Sequence, residues 1–591
     1  MAGHPTSRGP DDTGAPSPDE ASRTPGTPVP GTPSAPRPDE HPPLPGSAED
    51  FLRGYGADAP RPRFVLALLS DGRWWSANDL VRASGVAYAV VSSLLKALEA
   101  AGELVREPGG ERCRLVRPDH YTGAHTPVLA DPVTHLLSEH PRAAAELARA
   151  VAEGPASDLD LDHVSATAET ALRRALFLAT RFDLRQRTLL CVGDHDLTSL
   201  ALALVQPEAR VEVVDLDERV LAHIDAVAQR LGLPVRTHSA DLRLGLPATL
   251  REGADLVFTD PPYTPDGVEL FVRRGVEGLT DPRRGRVLVA YGASETTPKL
   301  AAATQTRLVR SGLLVEAVWP DFNRYLGAES IGAASDLYVL RPLARTLPSP
   351  GGDAARVYSQ GVNAKEARGA LDAERASAVL DRVAEDRGPG ADGAPALVGE
   401  WPREVSKEVR VRLSTWMDSP TAVGACSVVN LTGGWERLAA RAALASTTDE
   451  TYVLVPSSSR WVRDETGQRE LRAMVEPGTR VRFLRGLGAP DLTAIRLTRN
   501  PEPGGSTGRL LAHVQGRAHG TLTTTLRTGL VEAAAWRGRP TNKRTARHAV
   551  ASAPAWLAGH SLLDLPEHRF SELRALASEL MARVEELQEH R

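Results

Sequence analysis

Between Thr188 and Leu340, short β-rich runs alternate with helical stretches, and this rhythm constrains the chain more than any other feature. The runs are Thr188–Val192, Val211–Val214, Leu256–Thr259, Arg286–Tyr291, Val315–Trp319 and Leu337–Leu340, with a further strand at Val235–Thr237. Strands joined through helical crossovers make a mainly parallel sheet with helices on both faces. The expected class is α/β, a doubly wound sheet over residues 186–342. Such sheets bind ligands beyond the carboxyl ends of their strands, where helix N-termini converge.

Acidic residues gather at those ends. The first strand runs into Cys191-Val-Gly193-Asp194-His195-Asp196-Leu-Thr198-Ser199, followed by a helix over Leu200–Val205. Twenty-two residues after Gly193 the second strand closes on Asp215, with Asp217 two further on. A carboxylate at that distance suits the ribose hydroxyls of an adenosine. Asp241 follows the third strand and is placed beside the adenine ring. The fourth strand delivers Asp260-Pro261-Pro262-Tyr263, a stiff turn that holds its acid toward the cleft. Taken singly, Asp194 or Asp196 would serve as a helix cap, Asp215 and Asp241 as loop acids, and Asp260-Pro-Pro as a turn. Their arrival in order at successive strand ends favours a site. Cys191, inside a buried strand, reads as a small core residue.

At 591 residues, and at ~150 residues per domain, the chain holds three or four folded units. Residues 1–50 carry 13 Pro and 6 Gly and almost no large apolar side chains, the composition of a disordered leader. Residues 51–120 read as three helices followed by a two-stranded wing, similar to a winged helix; the third helix, Tyr88–Ala101, offers only Lys96 as a base. A helical connector follows over 121–185. Beyond the 186–342 sheet lie a linker and helix (343–401) and an α/β C-terminal domain (402–591), where Thr451–Val455, Gln468–Met474 and Arg480–Leu484 suggest a strand-helix-strand unit. That unit faintly resembles phospholipase-D-like sensor domains, but His513-Val-Gln515 lacks the lysine of the active enzymes. A last helix carries an apolar stripe at Leu573, Leu576, Leu580, Val584 and Leu587, read as docking on its own domain.

The formal charge of −5 argues against a global grip on nucleic acid. No run reaches the ~20 apolar residues that cross a bilayer, and the expected location is the cytoplasm. Cys113, Cys191 and Cys426 are too far apart for a local zinc pattern, and no metal is expected.

The loop after the first strand carries carboxylates where nucleoside-binding sheets of the methyltransferase type usually carry glycines. Negative charge there repels the carboxylate of a methionine tail and attracts an ammonium, which favours decarboxylated S-adenosylmethionine and polyamines. With the motifs Gly193-Asp-His-Asp-Leu-Thr-Ser199, Val214-Asp-Leu-Asp-Glu-Arg219, Asp241-Leu-Arg243, Phe258-Thr-Asp-Pro-Pro262 and Phe322-Asn-Arg-Tyr325, residues 61–342 resemble the branched-chain polyamine synthase family, also called N4-bis(aminopropyl)spermidine synthases.

The resemblance implies a Rossmann-like, methyltransferase-type fold and transfer of aminopropyl groups from decarboxylated S-adenosylmethionine, as co-substrate, to an amine of a polyamine such as spermidine, with release of methylthioadenosine. It implies no metal and a homodimer. Asp194, His195, Asp196 and Asp260 are the candidate catalytic residues; Gly193, Asp215, Asp217 and Asp241 the donor-binding ones; Tyr263, Asn323 and Tyr325 the acceptor-binding ones. The family pattern has an acid where His195 stands and Glu where Tyr263 stands, so this site holds less negative charge for a polycation. Asp-Pro-Pro-Tyr also suits an S-adenosylmethionine-dependent amine methyltransferase, the first rival reading. A non-enzymatic ligand-sensing regulator is the second.

Overall fold

The structure, a computed structural model, describes residues 44–125, 131–158, 161, 163–293, 297–343, 371–389, 393–405 and 409–589. Among the described residues the strands form three sheets. Most of the expected leader, residues 1–43, lies outside the described residues. The helix α1 (Gly46–Arg53) nonetheless starts inside the stretch read as leader, because Ala48 and Leu52 bury against the first core. The high proline count of the preceding residues hid this short amphipathic turn.

The N-terminal unit continues with α2 (Pro60–Leu69), β1 (Trp75–Ser76), α3 (Ala77–Ser84), α4 (Tyr88–Ala100), β2 (Leu104–Arg106) and β3 (Arg112–Leu115). Its strands pair antiparallel in the order β1-β3-β2. Ser76 caps α3, its Oγ accepting from Asp79 N at 3.1 Å. The turn before α4 packs into the body of the protein: Gly332, at φ 86°, lies so close to the Gly85 carbonyl that a Cβ would sit 2.3 Å from that oxygen. Arg61 reaches Asp321 (2.9 Å) and Arg82 reaches Glu329 (2.6 Å) across the same junction.

The central unit contains α5 (Pro141–Glu153), α6 (Ala168–Arg181), β4 (Thr188–Val192), α7 (Thr198–Val205), β5 (Arg210–Asp215), α8 (Glu218–Leu231), β6 (Val235–Ser239), β7 (Leu256–Thr259), α9 (Pro265–Gly278), β8 (Arg286–Tyr291), α10 (Pro298–Arg310), β9 (Leu313–Arg324) and β10 (Ala334–Pro342). Its seven strands lie in the order β6-β5-β4-β7-β8-β10-β9. The first five are parallel, and β10 runs antiparallel between β8 and β9. The order reverses at β4, which puts the crevice at the carboxyl end of that strand. One face is covered by α5 to α8 and the other by α9 and α10. Because Leu147, Ala150, Leu172 and Leu176 share a core with Leu189 and Val211, α5 and α6 belong to this unit. The boundary expected at residue 186 falls too late. Cys191 is fully buried in β4.

The C-terminal unit comprises α11 (Ala373–Arg387), β11 (Ala396–Gly399), β12 (Arg410–Val411), α12 (Leu413–Asp418), β13 (Cys426–Asn430), α13 (Ala439–Leu444), β14 (Glu450–Pro456), α14 (Glu465–Val475), β15 (Thr479–Arg485), β16 (Leu492–Arg499), α15 (Gly505–Gln515), α16 (Leu522–Trp536), α17 (Lys543–Ala551) and α18 (Arg569–Glu589). Its sheet order is β12-β11-β13-β14-β16-β15. One expectation fails here. The short run Ala396-Leu-Val398 is an interior strand and α11 packs on it through Val379 and Val383, so the unit begins well before residue 402. The expected strand-helix-strand order is present as β14, α14 and β15, with β16 inserted antiparallel between the two strands in the sheet. His513 is bound to Glu532 (2.6 Å) and Thr528 (2.9 Å), a structural arrangement. The apolar stripe of α18 is buried in its own unit, as expected.

The C-terminal unit covers the free edge of β6. Ser239 N donates to Asp564 O (2.8 Å), and the buried His238 ring lies 2.8 Å from the Asp564 carboxylate. Glu212 flanks the same ring, and together these acids push His238 up to about 9 although burial opposes its charge. Among the described residues no helix is long and apolar enough to cross a membrane.

Candidate active site

Beyond the carboxyl ends of β4, β5 and β7 lies a cavity of about 450 Å³. It is reached by Gly193, Asp194, His195, Asp196, Asp215, Asp260, Tyr263 and Tyr325, which are eight of the eleven residues singled out from the sequence. Gly193 opens the turn at φ 72°, with the Phe271 ring 3.2 Å from where a Cβ would stand, so a side chain there would be strained by the backbone and would crowd that ring.

Asp194 is both a lining residue and a cap. Its two oxygens accept from Thr198 N (2.8 Å) and Ser199 N (3.1 Å) at the start of α7. Full burial pushes the carboxyl up to about 7 despite those amides. Asp215 accepts from Asp194 N (3.1 Å) and Asp217 N (2.8 Å), which ties the β5 end to the β4 turn. Each of its oxygens keeps a second lone pair for a ligand hydroxyl.

The other two acids are organised by a residue the sequence reading missed. Arg174, on α6, has a fully buried side chain. Its guanidinium donates to Asp196 (2.7 Å), Asp260 (2.6 Å) and the Asn323 side-chain oxygen (2.7 Å), and it lies over the Phe258 ring. Burial works against its charge, yet Asp196 and Asp260 hold its pKa above the ordinary arginine value. Asp196 accepts also from Ala166 N (2.7 Å), and although burial opposes ionisation, Arg174 holds Asp196 below the usual carboxylate range. Asp260 is pushed up to about 8 by burial and by the adjacent Asp196 charge, against the pull of Arg174. The Tyr325 hydroxyl donates to one Asp260 oxygen (2.8 Å) and the Tyr263 hydroxyl to the other (3.1 Å). The two hydroxyls are 2.7 Å apart, and Ser335 Oγ is 2.7 Å from that of Tyr325. Thr259 Oγ donates to Val192 O (2.7 Å), which fixes the Asp260 turn beside Gly193.

His195 Nε2 lies 2.8 Å from Ser165 Oγ, and its ring stacks on His163 with centroids 4.5 Å apart. Burial, reinforced by His163, lowers its pKa and keeps it neutral.

Three expectations are corrected. Asp217 does not reach the cavity: it caps α8 and pairs with Arg219 (2.6 Å). Asp241 faces away from it, its carboxylate gripped by Arg243 at 2.6 and 2.9 Å, while the next residue, Leu242, supplies the wall. Asn323 is fully buried and supports Arg174, its amide nitrogen donating to Ser335 Oγ (3.1 Å). The signal for Arg174 was present in the sequence: it lies three residues after Ala171 and four before Leu178, an arginine on the apolar face of an amphipathic helix. Leu161 and His163, which also line the cavity, come from a loop with no such signal.

Residues 143–343, which build this cavity, match the family model described as branched-chain polyamine synthase A C-terminal domain. An uncharacterized protein of Methanocaldococcus jannaschii is 36% identical over 205 residues, which are 35% of this chain and 51% of that relative. The N(4)-bis(aminopropyl)spermidine synthase of Thermus thermophilus is 33% identical over 176 residues, 29% of this chain and 50% of the relative. Among solved structures, the branched-chain polyamine synthase C9 mutein from Thermus thermophilus, in complex with N4-aminopropylspermidine and 5'-methylthioadenosine, aligns at 24% identity over 53% of this chain and 96% of that one, with a TM-score of 0.40. The chain spans about half the length of the curated relatives it matches. The resemblance to the branched-chain polyamine synthase family, read from five motifs, is borne out by the family model over residues 143–343.

Proposed function

We propose that the central unit transfers aminopropyl groups from decarboxylated S-adenosylmethionine to an amine of a polyamine such as spermidine, giving a branched polyamine and methylthioadenosine. The observation that carries this reading is the convergence of Asp194, Asp196, Asp215 and Asp260 on one cavity at the sheet crest, within the segment that matches the polyamine synthase family. In this reading the main-chain turn at Gly193 and the Asp215 carboxylate take the nucleoside, with Asp215 on the ribose hydroxyls. Asp194 faces the ammonium of the donor's tail, with neutral His195 beside it. Tyr263 and Tyr325 border the acceptor.

The chemistry is a displacement. The acceptor nitrogen attacks the propyl carbon bonded to the sulfonium; an N–C bond forms, the C–S bond breaks, and its electron pair stays on sulfur. The nitrogen must first lack a proton, yet a free alkyl amine has a pKa of about 10. Asp260, raised to about 8, is closer to that value than an ordinary carboxylate and takes the proton once ionised. Arg174 and Asp196 act through Asp260 by fixing its position and charge. The winged-helix-like N-terminal unit is read as a packing module: its Gly85 turn and Arg82 brace the loop whose Ala328, Ser330 and Ile331 line the acceptor side.

A second reading has its own support. The amides of α7 compensate Asp194 and Arg174 compensates Asp196, which weakens the repulsion of an intact methionine carboxylate. Tyr263 adds to that case, and the alternative is methyl transfer to an amine. Supplying each sulfonium donor separately with spermidine separates the two. Methylthioadenosine and an aminopropylated product are expected from the decarboxylated donor; S-adenosylhomocysteine from the intact one would replace the reading.

A further inference from the structure

We infer that the C-terminal unit is part of the donor site: its residues Trp435 and Arg437 position the two wall segments that face the nucleoside. The inference rests on the donor placement proposed above. The family model stops at residue 343, so nothing in that match accounts for these residues.

Two apolar side chains, Leu161 and Leu242, share one core cluster and line the cavity together with Asp215. Neither is anchored by its own unit alone. Leu242 sits in the turn after β6, whose Ala240 N donates to Asp215 O (3.0 Å). Its neighbours point the opposite way. Asp241 holds Arg243, and Arg243 in turn lies over the Trp435 ring at 4.0 Å and donates to Gly434 O (3.2 Å). The turn is thus clamped from behind by the C-terminal unit, with its apolar residue pressed forward into the cavity.

Leu161 and His163 are set by Asp158. The Asp158 carbonyl accepts from Leu161 N (3.0 Å) and His163 N (3.1 Å), so the position of this one residue fixes both wall residues. Its carboxylate is reached by Arg437 at 3.3 Å and by Arg219 at 3.8 Å. A third attachment lies between the two: Arg441 pairs with Glu218, at the start of the helix that follows Asp215. Residues 434–441 therefore touch the wall segment before α6, the start of α8 and the turn after β6. These are the segments that border a nucleoside held by Asp215. Burying the Asp241–Arg243 pair under an indole also explains why Asp241 is withheld from the ligand.

Trp435 and Arg437 are positioning residues, and their loss should move donor binding rather than the chemical step or the acceptor. The probe is 5'-methylthioadenosine, titrated calorimetrically into the full-length protein at low salt, with steady-state kinetics alongside. Arg437→Gln changes a half-exposed side chain and should weaken binding about twofold to fivefold, an effect that shrinks as salt rises. Trp435→Leu should weaken it by about tenfold or more. The donor KM should follow, with kcat and acceptor KM unchanged. Because Trp435 is also a core residue, Asp158→Asn and the Asp158→Asn/Arg437→Gln pair complete the test: the double variant should bind no more weakly than Asp158→Asn alone. Wild-type binding with unchanged affinity in Arg437→Gln, or strictly additive losses in the pair, overturns the inference and leaves the proposed function standing. No binding of the nucleoside by the wild type overturns the proposed function and this inference with it.

Discussion

Two pairs of carboxylates face the cavity, and they are held in different ways. Asp194 and Asp215 rest on main-chain amides: α7 holds the first, and the backbone N–H groups of Asp194 and Asp217 hold the second. Asp196 and Asp260 share one buried guanidinium, with tyrosine hydroxyls and the Ala166 amide filling the remaining positions. Main-chain amides carry no titrating charge and hold their acids mainly by position. A shared guanidinium acts on charge as well as position: it holds Asp196 below the ordinary carboxylate range, while burial and the Asp196 charge push Asp260 well above it against the pull of the same cation. Pairs of titratable groups separated in this manner mark where proton transfer is arranged.

The largest expected effect comes from removing the shared cation. Arg174→Leu leaves the ionised Asp196 carboxylate buried without its counter-charge and Asp260 without its guanidinium donor, and should lower unfolding stability by about 3–5 kcal/mol, read by urea denaturation at pH 7. Turnover should fall below detection in the same variant. Adding Asp196→Asn removes the stranded charge and should recover part of the stability but not the activity. If Arg174→Leu were as stable as the wild type, the contrast between the two pairs would lose its basis.

Asp260→Asn tests the raised acid on its own. Turnover should drop by about 10²–10⁴-fold if Asp260 takes the proton. Stability should move in the other direction with pH. A folded carboxyl at about 8, against an ordinary unfolded value, means the native state binds more protons than the unfolded state between those two values. The wild type therefore loses this contribution as pH rises toward 8. The Tm of Asp260→Asn, relative to wild type, should become steadily more favourable from pH 5 to pH 8. In the wild type, turnover should rise as pH increases through about 8, because only the ionised carboxyl accepts a proton. A flat pH–rate profile there would remove Asp260 from proton transfer.

Residues at strand ends and helix starts sit where the alternation of β-rich and helical runs puts them, so Gly193, Asp194, Asp196, Asp215 and Asp260 were legible from it, and what holds them was not. Asp217 and Asp241 share that position but turn outward, because each is followed two residues later by an arginine that grips it. The order of acids alone could not show this. Arg174 and the Leu161 wall lie upstream of the first strand, brought in by packing of α6 and by the loop before it. Only the position of Arg174 on an apolar helix face betrayed it. The strands β11 and β16 were missed for a different reason: buried on both faces or set against flanking arginines, they lack the alternation that marks a half-exposed strand.

The smallest expected effect sharpens the question of charge. Where the family has Glu, Tyr263 offers a hydroxyl to Asp260 and to Tyr325, so the acceptor side carries one carboxylate fewer. Tyr263→Glu restores it. A second carboxylate beside Asp260 is a like charge at close range, which raises both acids and destabilises the empty protein. A polycation relieves that repulsion on binding, so the cost in the free protein becomes a gain in affinity. Spermidine KM should fall by about threefold to tenfold at low ionic strength and return toward the wild-type value as salt screens the pair. The donor KM should stay where it was, because the nucleoside side is held by amides and by the C-terminal clamp. A variant whose spermidine KM does not move would mean that the acceptor's distal ammonium groups lie elsewhere, and that Tyr263 serves the packing of the Asp260 turn rather than the choice of amine.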